Sequence, residues 1–197
     1  MKNVLIILLI SLLTSCATLP APEQASNQAI NWQQRQQQLQ LLTAWNIRGA
    51  VAIRQGKQAQ SASIYLQQHQ RQFELQVFGP LGVGRNTLTG KPGKVKLVNG
   101  SGESFTAKSP EALMKQQMGW SLPISNLYYW LRGLPAPGLN KQIQFDKYHH
   151  VVKIQQQGWN IVYEKYTGVQ HIDLPSKISM TFGDLSVNII VSQWQLS

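Results

Sequence analysis

The sequence predicts a mainly β (α+β) protein, built on an antiparallel sheet of about eleven short strands with three helices. First, apolar and polar residues alternate with a period of two through most of the chain after residue 44, as in strands with one buried and one solvated face. Second, Gly, Pro and Asn separate these segments at short intervals. Third, so many alternating strands within one domain favour a curved or barrel-like sheet.

The N-terminal segment has the pattern of a secretory signal. Lys2 precedes an apolar run from Val4 to Leu13, which is too short to span a bilayer but suits the apolar region of a signal peptide. Leu13-Thr14-Ser15-Cys16 resembles the bacterial lipobox, in which the cysteine is lipidated and becomes the new N-terminus. We therefore predict a cleaved signal peptide at residues 1–15 and lipidation at Cys16. The alternative is an ordinary secretory signal that ends near a cysteine.

The remaining chain divides into a tether and one domain. Residues 16–28 are small, polar and proline-containing, so we expect a lipidated N-terminus followed by a flexible tether. Residues 29–197 are enough for a single domain with a sizeable core. Because Cys16 is the only cysteine, the fold depends on burial and not on a disulfide. No later stretch approaches the apolar length of a membrane helix, so we expect a protein that is anchored without spanning.

The chain is basic, with 18 Lys and Arg against 8 Asp and Glu and a formal net charge of +10. An exported, anchored protein does not meet nucleic acid, so we expect no nucleic-acid partner. The available anions are phospholipid headgroups and acidic surfaces of partner proteins. The basic residues are scattered along the sequence. They could form a functional basic face, or they could simply be part of a solvated surface that has few acidic residues.

The first half of the domain reads as a helix followed by strands. Asn31 to Thr43 is rich in Gln, but its apolar residues share one helical face. From Trp45 the period changes to two. We expect turns at Gly56-Lys57, Gln68–Gln70, Lys91–Gly93 and Asn99-Gly100, the last a strong hairpin signal because both residues tolerate positive φ. The strands expected between them are 45–54, 62–66, 72–77, 87–89, 95–98 and 104–106.

The second half begins with two helices. Ser109-Pro110-Glu111 supplies an N-cap, a proline at the first helical position and an acid in the first turn, and Gly119 should end that helix. A second helix should start at Ser125 and end at Gly133 and Pro135. Strands are then expected at 143–145, 152–154, 159–163, 178–182 and 185–191, with a loop at Gly168. The last strand shifts phase before Trp194, which predicts a bulge or bend.

Phe78 to Gly84 is unusual for a turn. It has the glycines and proline that a turn requires, but its side chains are Phe, Leu and Val. An exposed Leu81 would cost solubility and would need a functional reason. The alternative is that Leu81 folds back to fill the core.

Several features together resemble the LolB family of outer-membrane lipoproteins, which receive other lipoproteins from the periplasmic carrier LolA. The resemblance runs over essentially the whole mature chain. It rests on the lipobox, the helix with Trp32, Arg48-Gly49 in the first strand, Gly79-Pro80-Leu81-Gly82 and Trp130-Leu131-Arg132-Gly133-Leu134-Pro135. The residue after Cys16 is Ala17. An Asp at this position would resemble an inner-membrane retention signal, so Ala17 suits a lipid-anchored protein of the outer membrane that faces the periplasm.

The resemblance implies a LolA/LolB-like fold, an incomplete antiparallel β-barrel in which helices form a lid. Residues 29–197 would then be a half-barrel acyl-chain-binding domain. The implied function is to accept lipoproteins from a LolA-like carrier through their acyl chains and to insert them into the inner leaflet of the outer membrane. The implied partners are that carrier, client lipoproteins and membrane phospholipid, and we expect a monomer.

The same resemblance implies site residues. Leu81 is expected to act in membrane insertion. Residues predicted to face inward become candidates for the wall of an acyl-chain cavity. The alternation alone would indicate only that they are ordinary core residues. They are Trp45, Ile47, Val51, Ile64, Leu66, Phe73, Leu75, Met114, Met118, Leu127, Trp130, Leu131, Trp159, Ile161, Met180 and Val187.

Other chemistry is sparse. His149-His150 has no cluster of Cys, Asp or Glu at ligand spacing, so we expect no metal. Gly90 to Lys94 lacks the spacing of a phosphate loop, and no Gly-x-Ser-x-Gly motif occurs. We therefore expect neither an enzyme nor a cofactor, and a hydrolase is the weakest alternative. An anchored structural or scaffold lipoprotein with a filled core is the main alternative to a lipid-handling receptor.

Overall fold

A computed structural model describes residues 23–26, 29–79, 84–118, 122–138 and 140–197. Its helices are α1 (Trp32–Leu41), α2 (Pro110–Met118) and α3 (Ile124–Trp130). Its strands are β1 (Glu23–Gln24), β2 (Ala44–Gln55), β3 (Gln58–His69), β4 (Gln72–Phe78), β5 (Asn86–Lys91), β6 (Lys94–Val98), β7 (Ser104–Ala107), β8 (Lys141–Phe145), β9 (Val151–Gln156), β10 (Trp159–Val169), β11 (Ile172–Phe182) and β12 (Leu185–Leu196). Among the described residues, no helix is long and apolar enough to cross a bilayer.

The strands form one antiparallel sheet in the order β7-β6-β5-β4-β3-β2-β12-β11-β10-β9-β8. Two meanders, β2 to β7 and β8 to β12, meet where β2 pairs with β12 along most of both strands. In the described chain, β7 and β8 remain the two free edges, and α2 and α3 lie in the connection between them. The predicted mainly β fold, with about eleven antiparallel strands and three helices, is confirmed.

Local sequence explains the helix starts. The Asn31 side chain accepts a hydrogen bond from the Gln34 N–H at 2.9 Å and caps α1. Ser109 caps α2 in the same way through the Ala112 N–H, with Pro110 as the first helical residue, where the missing N–H costs nothing. The helix α3 ends at Trp130, and the chain then turns through Gly133 at a φ of 77°.

The phase shift in the last strand is confirmed as a bulge. The β12–β2 register shifts between Val191 and Gln193, so Trp194 returns to the inner face, where it is buried. Three expected turns differ. The turn expected at Gln68–Gln70 lies at Gln70 and Arg71, because Gln68 and His69 belong to β3. Gly168 lies within β10, and the reversal occurs at Gln170 and His171, which both have positive φ. The loop at Asn99 is longer than a two-residue turn because the Asn99 side chain accepts the N–H groups of Ser101 and Glu103.

The chain ahead of α1 is held on the sheet. β1 pairs with the Gly168 end of β10, which β9 leaves unpaired because β9 covers only Trp159–Val162. The Ser26 N–H also donates to Asp173 at 2.8 Å. Residues 23–26 therefore dock on the domain, although the sequence places them in the predicted tether. Residues 16–22 and 27–28 lie outside the described residues.

A buried cluster of polar residues holds α1 against the end of the sheet. Both ring nitrogens of His150 face carboxylates, Nδ1 at 2.9 Å from Asp146 Oδ2 and Nε2 at 2.8 Å from Asp173 Oδ2. Arg35 of α1 donates to Asp173 at 3.3 Å. Burial acts to raise the pKa of Asp146, but the hydrogen bonds from the His150 ring and from the N–H groups of His150 and Tyr148 lower it below its ordinary value.

Arg132 joins α1 to α3. Its Nη1 donates to the carbonyls of Leu39 and Leu42 at the end of α1, both at 2.8 Å, and its Nε donates to the Tyr128 carbonyl of α3 at 3.0 Å. Its guanidinium carbon also lies 4.1 Å from the centroid of the Tyr128 ring. Burial lowers the pKa of Arg132. The Leu39 carbonyl also accepts the Leu42 N–H at 3.4 Å. Arg132 therefore adds a second donor to that carbonyl and supplies one to the Leu42 carbonyl at the helix end.

Candidate functional site

A cavity of about 820 Å³ lies between the sheet and the two helices that connect its edges. The inner faces of β2 to β6 and of β12 form one wall, and α2, α3 and their flanking residues form the other. This volume falls within the range of about 300–1,000 Å³ typical of ligand pockets.

The cavity separates two apolar clusters. The larger one packs α1 and α3 on β2 and β9–β12. The smaller one packs Leu113 of α2 on Leu88, Val95 and Leu97, and all four of these residues line the cavity. The helices therefore pack against the sheet in two separate regions, and the space between these two regions is the cavity.

Exposure distinguishes the two halves of the sheet. On β9 to β11, the inward residues Ile154, Ile161 and Leu174 are each 0% exposed. On β2 to β4, the inward residues Val51 and Leu75 are only half-buried although they face the helices. Apolar side chains on an inner face that solvent still reaches indicate an open binding cavity.

The polar residues of the cavity lie mainly near the strand ends. Gln60 and Asn86 lie near one end of the strands, and Arg71, Lys91 and Lys108 near the other. Among the described lining residues there is no Asp or Glu. The site is therefore apolar along its length and cationic at one end.

Most of the sequence-derived candidates meet in this cavity. The structure places the following ten in its wall: Ile47, Val51, Ile64, Leu66, Phe73, Leu75, Met114, Leu127, Leu131 and Val187. They come from four strands, β2, β3, β4 and β12, from the helices α2 and α3, and from the residue that follows α3.

Five candidates lie instead in the filled half of the core: Trp45, Trp130, Trp159, Ile161 and Met180. This half is filled because α3 and the residues after it lie directly on the sheet. The Trp130 Nε1–H and the Ala136 N–H both donate to the Gln156 side chain, at 3.1 and 2.9 Å, and Tyr163 donates to the Trp130 carbonyl at 2.8 Å. The side chain of the remaining candidate, Met118, lies outside the described residues.

Several lining residues were missed by sequence reasoning. Leu88, Val95 and Leu97 occupy alternate positions of β5 and β6, so the period-two pattern already marked their inward face. Ile124 and Tyr128 of α3 could not be found in this way, because a seven-residue helix shows too few turns for a clear apolar stripe.

Leu81 lies outside the described residues. The glycines on either side of the undescribed segment, Gly79 and Gly84, line the cavity. The Arg85 guanidinium lies over the Phe78 ring, 4.9 Å from its centroid. The described residues on either side of the segment that carries Leu81 therefore lie at the cavity.

The titratable groups near the site have structural roles. Burial, and to a smaller degree Tyr166, raises the pKa of Tyr163 well above its ordinary value, so its hydroxyl stays protonated and donates to Trp130. Burial likewise raises the pKa of Tyr166, whose hydroxyl donates to the Val151 carbonyl at 2.8 Å. Within the described ranges, no group of three His, Cys, Asp or Glu is placed to hold a metal.

An open antiparallel sheet with helices over an apolar cavity defines the fold class of this protein, and solved structures of this fold exist. A DUF1329 family protein from Desulfovibrio piger matches with a TM-score of 0.57 at 9% identity, over 83% of this chain and 89% of that one. A LolA superfamily protein from Nitrosomonas europaea matches with a TM-score of 0.52 at 8% identity, over 86% of this chain and 94% of that one. At these identities the likeness shows the fold alone.

Sequence comparison identifies the family. A family model described as "Outer membrane lipoprotein LolB" matches residues 43–194. A relative named "Outer-membrane lipoprotein LolB" from Chromohalobacter salexigens is 41% identical over 96% of this chain and 88% of its own. Relatives with the same name are 39% identical in Coxiella burnetii RSA 493, over 93% of this chain and 88% of theirs, and 35% identical in Ectopseudomonas mendocina, over 99% and 97%.

The chain therefore belongs to the LolB family, a non-enzymatic family of lipoprotein-sorting proteins of the outer membrane. The resemblance stated from the sequence is confirmed, as is the expectation that the protein is not an enzyme.

Proposed function

We propose that this protein accepts lipoproteins from a LolA-like periplasmic carrier by binding their acyl chains in the cavity, and then inserts them into the inner leaflet of the outer membrane. Lipidation at Cys16 would hold it at that membrane, facing the periplasm. The observation that carries the proposal is an open cavity of about 820 Å³ with an apolar wall on both the sheet and the helix side.

The direction of transfer follows from burial. Each methylene kept from water contributes about 0.8 kcal/mol, so an acyl chain would not leave one apolar cavity for water. A chain that passes directly between two cavities stays buried, and the barrier can be low without a nucleotide. Net transfer requires this cavity to hold the chains more tightly than the carrier does, and the bilayer to hold them more tightly still.

A cavity-filling substitution tests the binding step. Val51→Trp adds a large ring to the inner face of β2, where Val51 is half-buried in the cavity wall. Ile190→Trp is the matched control, because Ile190 lies on the outer face of β12 and is 52% exposed. The variants are lipidated, reconstituted in liposomes and mixed with the carrier bearing a fluorescent client. We expect Val51→Trp to lower acceptance at least about tenfold, equivalent to about 1.4 kcal/mol, and Ile190→Trp to leave it unchanged. Equal acceptance by both variants would contradict a role for the cavity.

A second substitution tests the insertion step. We propose that Leu81 enters the membrane when the client is released, so Leu81→Glu should still accept a client from the carrier but fail to deposit it into liposomes. Leu41→Glu is the control, because Leu41 at the end of α1 is 80% exposed and does not line the cavity. Normal deposition by Leu81→Glu would refute this assignment.

A further inference from the structure

The cationic end of the cavity has no use in the proposed function as stated. The lipid part of a triacylated client carries ester, thioether and amide groups and no charge. Nevertheless Arg71, Lys91 and Lys108 all line the cavity, and all three are exposed residues. A cluster of cations at the end of an apolar cavity therefore calls for a ligand other than a neutral acyl chain.

The strand register brings these cations together. Lys91 lies directly opposite Lys94 across the β5–β6 hairpin. On the next strand Val95 pairs with Ala107, so Lys108 follows beside Lys94. Phe73 pairs with Gly90, which places the β3–β4 turn and Arg71 at the same end. Adjacent strands lie about 4.8 Å apart, so the backbones of Lys91 and Lys108 are only about 10 Å apart, with Lys94, which is not a lining residue, between them.

Among the described residues, no ion pair includes Arg71, Lys91 or Lys108. The ion pairs formed by the described residues join Arg35 to Asp173, His150 to Asp146 and Asp173, and Lys177 to Glu164. Glu111, in the first turn of α2, accepts the uncharged Ser125 N–H at 2.9 Å and takes part in none of these ion pairs. Like charges placed opposite each other on neighbouring strands are destabilising, so an anion bound beside Lys91 would relieve its repulsion with Lys94.

We infer that the cavity binds an anionic lipid, with its acyl chain along the apolar wall and its head at Arg71, Lys91 and Lys108. The shared chemistry is an acyl chain that ends in an anion, either a fatty acid carboxylate or the phosphate of a phospholipid. This rests on the proposed function, because it uses the same apolar wall, and it adds a second ligand class to the neutral chains of client lipoproteins.

The test compares two probes that differ only in the head, a fluorescent fatty acid and the fluorescent alcohol of equal chain length. The protein is the mature chain, residues 16–197, with Cys16→Ala to remove the anchor. All described strands and helices and both apolar clusters lie within it. We expect the acid to bind about three- to tenfold more tightly than the alcohol at low salt, and the difference to shrink as salt rises.

Two matched triple variants locate the effect. The variant Arg71→Gln, Lys91→Gln, Lys108→Gln should lose the preference for the acid and keep the affinity for the alcohol. The control Arg54→Gln, Lys57→Gln, Lys141→Gln removes the same charge from exposed residues that do not line the cavity, and it should keep the preference. Thermal unfolding checks that both variants fold, and the salt dependence of the wild-type preference tests the inference without any variant.

Competing lipids distinguish the two sources of the anion. Displacement of the probe by lysophosphatidylglycerol, but not by lysophosphatidylcholine, would support a phospholipid head, and displacement by oleate alone would support a free fatty acid. Equal affinity of the wild type for acid and alcohol would overturn the inference, as would equal losses in the two triple variants. If neither probe binds, the proposed function fails together with it. If the alcohol binds and the acid binds no better, only the inference fails. In that case, a defect in client transfer from the carrier that occurs in the Arg71→Gln, Lys91→Gln, Lys108→Gln variant, and not in the control variant, would assign the three cations to contact with the carrier.

Discussion

Replacing Arg132 should lower the free energy of unfolding more than most other single substitutions. Arg132 is 1% exposed and donates three charge-assisted hydrogen bonds, two of them to carbonyls at the end of α1 and one to the Tyr128 carbonyl. Arg132→Met keeps much of the side-chain volume and removes all three donors. A hydrogen bond to a charged group contributes about 1.5–3 kcal/mol. The Leu39 carbonyl keeps a 3.4 Å bond from the Leu42 N–H, and water can reach the less buried Leu42, so we expect a loss of about 3–5 kcal/mol in the free energy of unfolding.

Urea unfolding followed by far-ultraviolet circular dichroism measures this loss. For a chain of this size about 1 kcal/mol corresponds to a shift of roughly 2–4 °C in Tm, so Tm should fall by roughly 6–20 °C. Arg48→Met is the control, because Arg48 is exposed, and we expect it to cost less than about 1 kcal/mol. Arg132→Lys should recover only part of the loss, because an ammonium group cannot reproduce the fork of the guanidinium. A loss below about 1 kcal/mol in Arg132→Met, or equal losses at both arginines, would refute this account of the helix contact.

Three further substitutions test other contacts of the fold. Gln156→Leu removes the side chain that holds α3 on the sheet and should lower the free energy of unfolding by about 2–4 kcal/mol; a change within about 0.5 kcal/mol in chemical denaturation would count against that role. The pKa of Asp146 is lowered in the folded state, so its carboxylate stabilises the fold above the pKa of the unfolded chain, and this stabilisation is lost as pH falls through the folded pKa. The excess stability of wild type over Asp146→Asn should therefore shrink below about pH 4 in urea titrations, and a constant difference from pH 6 to pH 3 would contradict the His150 contact. Gly49→Ala should destabilise the centre of the sheet by several kcal/mol, because the added Cβ would lie 2.0 Å from the Ile190 carbonyl oxygen, and an unchanged Tm would show that the two strands separate at little cost.

The strands could be predicted from the sequence because their signal is local. Alternation identified the strands of both meanders, and the phase shift before Trp194 identified a bulge that the register confirms. The errors occurred where side chains override local pattern. Asn99 bonds its own loop and lengthens the turn, and the uncovered end of β10 binds residues 23–24, which look like a linker.

The site could be predicted only in part. Alternation identifies the inward face of a strand, but it does not show whether that face borders a space or a packed neighbour. Ile161 and Val51 follow the same pattern, yet α3 fills the space beside Ile161 and leaves the space beside Val51 open. The contacts that decide this, such as Gln156 with Trp130 and Arg132 with Leu39, join residues 26 and 93 positions apart, and no local pattern reports them.

The most direct test of the acyl-chain cavity is photo-crosslinking with a client lipoprotein whose acyl chain carries a photoreactive group, delivered by the carrier and followed by peptide mapping. We predict labels on the cavity wall, at residues such as Leu66, Leu75 and Leu127, and their loss in Val51→Trp. Labels on the filled half of the core, at Ile161 or Met180, or on the outer face of the sheet would contradict this prediction.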